Sequence, residues 1–98
     1  MADGLSIRHQ PAAEGGEFVL SKEAERVGEL TYTLAGSVLT IRHTGVDPSL
    51  RGHGAARQLL DAAIAFARAQ GYKVAPRCSY ASAVFERSPA EFADVLAD

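Results

Sequence analysis

The chain has 98 residues, 47% of them hydrophobic and 22% charged, with a net charge of −2. This is the make-up of one small globular domain, residues 1–98, with a single modest core. The absence of a basic excess excludes nucleic acid as a main partner, and no apolar run approaches the roughly 20 residues of a membrane span.

In chain order, the start MADGLSIRHQ has neither the basic opening nor the apolar centre of a secretory signal. The single cysteine, Cys78, has no internal disulfide partner, so a cytoplasmic location is expected. Residues 5–9 read as an edge strand ended by Pro11 and the Gly15-Gly16 pair, and 17–21 as a second strand. Residues 22–25 form either a charged turn or a helical stub. In 26–34, Leu30, Tyr32 and Leu34 alternate with Glu29, Thr31 and Thr33, the period of a half-buried strand. The Gly36-Ser37 turn then predicts a hairpin with a strand over 38–46.

From 54 to 70 the period changes. Ala56, Leu59, Leu60, Ala63, Phe66 and Ala67 share one helix face, and Gly71 supplies the left-handed residue that ends such a helix. Residues 72–77 read as a short strand and 79–87 as a second helix. Ser88-Pro89-Ala90-Glu91 has the form of a capping box opening a last short helix with Phe92, Val95 and Leu96. Strand, loop, long helix and strand make a βαβ unit, whose strands are parallel and whose crossover is right-handed. The class is therefore α/β with a mixed sheet, and the carboxyl ends of strands 38–46 and 72–77 lie at the same edge, where open α/β sheets bind ligands.

At that edge lies DPSLRGHGAARQLL, residues 47–60. A helix N-terminus offers unpaired N–H groups and partial positive charge. Gly52 and Gly54 let a ligand approach the backbone, Arg51 presents a planar fork suited to phosphate, and Arg57 is placed to support it. The alternative is an entry loop whose arginines face water. Gly54 is followed by Ala55-Ala56 rather than Lys-Ser/Thr, which excludes a P-loop, and a dinucleotide fingerprint lacks its third glycine.

Arg51-Gly52-His53-Gly54-Ala55-Ala56 resembles R/Q-x-x-G-x-G/A, the acetyl-CoA signature of the GNAT superfamily of N-acetyltransferases, and the preceding 43–50 resembles that superfamily's approach to the loop. The resemblance spans most of residues 5–85 and implies an acyl-CoA N-acyltransferase fold, abbreviated at the C-terminus. It implies acetyl-CoA as acyl donor, held at Val46, Arg51, Gly52, His53, Gly54, Ala55, Ala56 and Arg57, and an amine as acceptor. Where the superfamily carries N-x-x-A-x-x-x-Y, residues 78–85 read CSYASAVF, with Cys78 for the asparagine and Phe85 for the tyrosine. This is similar to small single-domain members in which the cysteine is assigned the catalytic role.

Cys78 is accordingly the candidate nucleophile, against the usual part of a lone cysteine as a small hydrophobe. His43 shares strand parity with Leu39 and Ile41; without a bulge it points to their apolar face, either as a structural histidine or as a base beside Cys78. Tyr80 either packs or protonates the departing CoA sulfur. No metal-ligand spacing is present, and a monomer or weak homodimer is expected. The alternative function is a CoA-binding or protein-interaction module without turnover.

Overall fold

The computed structural model describes residues 4–52 and 54–97. Five strands, β1 (Leu5–Ala12), β2 (Gly15–Lys22), β3 (Glu25–Ala35), β4 (Val38–Val46) and β5 (Lys73–Pro76), lie in the order β1-β2-β3-β4-β5. The first four form an antiparallel meander, and β5 pairs with β4 in parallel. Helix α1 (Ala55–Gln70) makes the crossover, and α2 (Ser79–Arg87) and α3 (Pro89–Phe92) follow β5. The expected mixed α/β architecture is present, with α1 ended by Gly71 in the left-handed conformation, φ 77°.

All helices pack on one sheet face. Phe18, Leu20, Leu30, Leu39 and Ile41 meet Leu59, Leu60, Ala63 and Ile64 of α1, and Ala81, Val84, Phe85 and Phe92 extend the same core. The i, i+3, i+4 spacing along α1 is what brings its buried residues onto one stripe. The other sheet face carries Glu17, Glu29 and His43 and, among the described residues, no helix. No described helix is long and apolar enough to cross a membrane.

Three local expectations are corrected. The first strand runs through Pro11 to Ala12, because β1 is an edge strand and proline is tolerated there; Gly15-Gly16 instead open β2. A Cβ on Gly16 would stand 2.7 Å from the Gln10 carbonyl oxygen and 2.8 Å from the Tyr32 hydroxyl, so the glycine is required by close packing. The 88–91 capping box does not form: Ser88 makes no side-chain cap, and Glu91 is drawn to Arg57 instead. The last helix stops at Phe92, after which Leu96 bridges to Val74 in parallel, with Val74 N–H donating to the Val95 carbonyl at 2.6 Å. The chain thereby covers part of the outer edge of β5. For residues 22–25, the turn prevails over the helical stub, with Glu23 and Ala24 at positive φ between β2 and β3.

At the far edge, the His9 ring stacks on Phe18 at 4.2 Å, and its Nε2 lies 2.6 Å from the Tyr32 hydroxyl. Burial lowers the His9 pKa below the ordinary histidine value and raises that of Tyr32. The unfolded chain therefore takes up the proton first. This contribution to stability is complete above about pH 6.5 and is lost as pH falls through the lower folded value. Thermal unfolding of the parent is expected to occur at lower temperature as pH drops below about 6.5, and His9→Gln to flatten that dependence. Equal slopes for the two proteins, measured by calorimetry across this range, would exclude His9 as the source.

Candidate active site

The loop after β4 is shaped by hydrogen bonds close in sequence. Asp47 N–H donates to the Val27 carbonyl at 2.7 Å, and Asp47 Oδ1 accepts from Ser49 N–H at 2.9 Å and from Ser49 Oγ at 2.8 Å. These bonds from Ser49 hold the Asp47 carboxyl below the usual carboxylate range. They also fix a single 3-10 turn, Pro48–Leu50, from which Leu50 enters the core. The chain then passes Gly52 and reaches Gly54, the residue preceding α1, in the left-handed conformation with φ 78°. Among the described residues no side chain caps this helix, so its first N–H groups are open to a ligand.

Those residues line a cleft of about 280 Å³ bounded by Val46, Leu50, Arg51, Gly52, Gly54, Ala55, Ala56, Arg57 and Tyr80. The cleft thus gathers every loop position expected to contact the donor except His53, which lies outside the described residues. Arg57 lines the cleft and is also held by contacts within the protein. Its Nε donates to Asp61 at 2.8 Å and its Nη2 to Glu91 at 2.6 Å, while the guanidinium lies 5.6 Å from the Phe92 ring centroid. These contacts tie α1 to α3 and leave Arg51 as the exposed cation among the described residues of the loop.

Beside the cleft the sheet opens. β4 and β5 pair only as far as Ile41 and Pro76; the N–H groups of Arg77 and Cys78 both turn back to the Ile41 carbonyl, at 3.0 and 3.1 Å. β4 continues to Val46 paired with β3 alone, so the slot left where β5 ends is bordered by its second half and the start of α2, which meet at Thr44 and Cys78. Cys78 sits at this slot as the N-cap of α2, with Sγ accepting from Ala81 N–H at 3.3 Å and lying 3.3 Å from Thr44 Oγ1.

His43 does not stand beside Cys78. The register between β3 and β4 shifts, so that Thr31 faces His43 while Tyr32 faces Ile41, leaving Arg42 as the extra residue of a bulge. The bulge reverses the parity on which the expectation rested. Thr44 takes the position on the helix face, and His43 turns to the helix-free face, where its Nε2 is 2.9 Å from Glu29 Oε2. Tyr80 borders the same cleft. Burial raises its pKa while Arg57 and Arg87 act in the opposite direction, and the net rise keeps the hydroxyl protonated at neutral pH. Among the described residues, no group of three or more His, Cys, Asp and Glu is placed to hold a metal ion.

Thr44, Asp47 and Glu29 are the residues that sequence reasoning missed. The Asp47-Pro48-Ser49 stretch carried a usable signal, since an aspartate two residues before a serine favours this turn. Nothing in the sequence marks the bulge that selects Thr44 and pairs Glu29 with His43.

With the fold and the cleft defined, the comparisons are specific. Residues 17–95 match the family model described as GCN5-related N-acetyl-transferase. The chain belongs to this family. The GCN5-related enzymes are acetyl-CoA-dependent N-acetyltransferases. The chain is similar to a GCN5-like protein from Staphylococcus aureus solved by NMR, with 27% identity, a TM-score of 0.72 and coverage of 99% of this chain and 91% of that one. It also shares the fold of the Escherichia coli ribosomal-protein-S18-alanine N-acetyltransferase, at 18% identity and TM-score 0.68, over 78% of this chain and 52% of that chain. The chain therefore spans about half the length of the Escherichia coli enzyme. An IAA acetyltransferase from Bacillus cereus shows the same fold at 16% identity and TM-score 0.68, over 85% and 74% of the two chains. No curated protein sequence matches the chain.

Proposed function

We propose that this protein binds acetyl-CoA along the cleft between β4, the 47–54 loop and α1, and transfers the acetyl group to an amine through Cys78. The uncapped start of α1 and Arg51 receive the pyrophosphate, and the acyl arm follows β4 past Val46 toward the slot. The observation that carries the reading is the meeting, at one sheet edge, of this phosphate-suited cleft with a thiol at the slot.

In the first step Cys78 Sγ attacks the thioester carbon. The new sulfur–carbon bond replaces that to CoA sulfur, so the exchange is between like bonds. Tyr80 gives its proton to the departing sulfur and regains one from the Cys78 thiol. In the second step an amine attacks the acetyl carbon, forming the amide and returning the Cys78 thiol. Thr44, whose hydroxyl lies 3.3 Å from Cys78 Sγ, is not a base, which favours a second reading: a module that binds CoA without turnover.

The binding half is tested by thermal shift. Acetyl-CoA at about 100 times its Kd is expected to add about 2.7 kcal/mol to stability, whereas pantetheine without its phosphates adds far less. Equal shifts from the two ligands, or none from either, would remove the phosphate site. The intact mass after incubation with acetyl-CoA then separates the readings, since a binding module gains no acetyl group.

A further inference from the structure

We propose that Thr44 is a positioning residue of the transfer. Its hydroxyl and the Ala81 N–H together hold Cys78 Sγ, and both donate to the sulfur as it attacks and again as it leaves. This rests on the acetyl transfer through Cys78 proposed above.

Thr44 owes its place to the bulge in β4. Beyond Arg42 the alternation is reversed, so Thr44 and Val46 share the helix face, Thr44 against the thiol and Val46 lining the cleft. Cys78 is fixed opposite Thr44 because its own N–H and that of Arg77 both bond to the Ile41 carbonyl. Thr44 and Cys78 are each half-buried. Among the described residues, the Thr44 hydroxyl and the Ala81 N–H are the hydrogen-bond partners of the sulfur, each at 3.3 Å.

The two partners differ in what they can do. The Ala81 N–H is a fixed donor in the first turn of α2. The Thr44 hydroxyl rotates, so it accepts from the intact thiol and donates once the sulfur has given up its proton. Two donors then face one charged sulfur, and hydrogen bonds to a charged partner are about twice as strong as neutral ones. Thr44 keeps its own proton throughout. In the first step the Sγ–carbon bond forms and the CoA sulfur–carbon bond breaks; the thiol proton goes to Tyr80 as the Tyr80 proton passes to the CoA sulfur. Burial is the main cause that raises the Tyr80 pKa, and the charge of Cys78 adds to it, so the two groups lie within electrostatic reach. In the second step the nitrogen–carbon bond forms, the carbon–Sγ bond breaks, and a proton of the nitrogen passes to Sγ. The sulfur carries charge in both steps, and Thr44 serves both.

The test compares the parent with Thr44→Val, Thr44→Ala and Thr44→Ser. Three quantities are measured: CoA affinity by calorimetry, the rate at which acetyl-CoA loads Cys78 by intact mass, and the release of that acetyl group by hydroxylamine. Valine keeps the branched shape that suits a strand, so Thr44→Val should fold and bind CoA like the parent. Thr44→Val and Thr44→Ala are expected to slow both loading and release about tenfold, the effect of one lost hydrogen bond to a charged group. Thr44→Ser retains the hydroxyl and should stay within about threefold of the parent. Parental loading in Thr44→Val, or slowing in Thr44→Ser equal to that in Thr44→Ala, overturns the role of Thr44 and leaves acetyl transfer standing. A parent that gains no acetyl mass on Cys78 overturns the transfer through the thiol, and this role with it.

Discussion

Cys78→Ala is expected to lower the release of CoA in the presence of an amine by about 10²-fold, the contribution of a single positioned catalytic group. The parent should gain one acetyl mass on exposure to acetyl-CoA, and peptide mapping should place it on Cys78; the alanine variant should gain none at that position. The substitution removes the sulfur's contacts with Ala81 N–H and with Thr44. Losing a modest N-cap costs about 1 kcal/mol, so the variant should still fold. Affinity for CoA should stay near the parental value, because the proposed phosphate site is at α1 and Arg51, away from the thiol. A folded variant that binds CoA and keeps parental turnover would return Cys78 to a capping role and make the amine attack direct.

Gly54→Val should weaken CoA binding by about 10²-fold, the effect of losing one or two charge-assisted hydrogen bonds of about 1.5–3 kcal/mol each. Gly54 has φ 78°, and nothing lies within 4 Å of where a Cβ would stand, so the added side chain projects into open space. It meets no core residue. The left-handed backbone still costs an L-residue about 1–2 kcal/mol, and more for a branched one, which should appear as a lower unfolding temperature. The two effects separate by titration of the folded variant with CoA by calorimetry, below its unfolding transition. Parental affinity in that measurement would place the phosphates elsewhere.

Much of this molecule was legible in its residues. Alternation in 26–34, the Gly36-Ser37 turn and the single apolar stripe of α1 identified the hairpin and the crossover, since these depend on periodicity that neighbouring residues impose on one another. That seven described residues around the loop line one cleft was legible for a related reason: a contiguous loop and helix start bring their own residues together. Where a contact joined distant segments, reading failed. Glu91 had both a local partner in Ser88 and a distant one in Arg57, and the ion pair won at the expense of the cap.

By itself the sequence determined the order of the elements, the parallel β4–β5 pair and the composition of the anion-suited loop, all consequences of local period, turn chemistry and crossover handedness. Only the tertiary structure decided which side chain meets Cys78. One unpaired residue in β4, set by how the strand packs against β3, reverses the alternation beyond it, so Thr44 rather than His43 reaches the thiol and His43 joins Glu29 across the sheet.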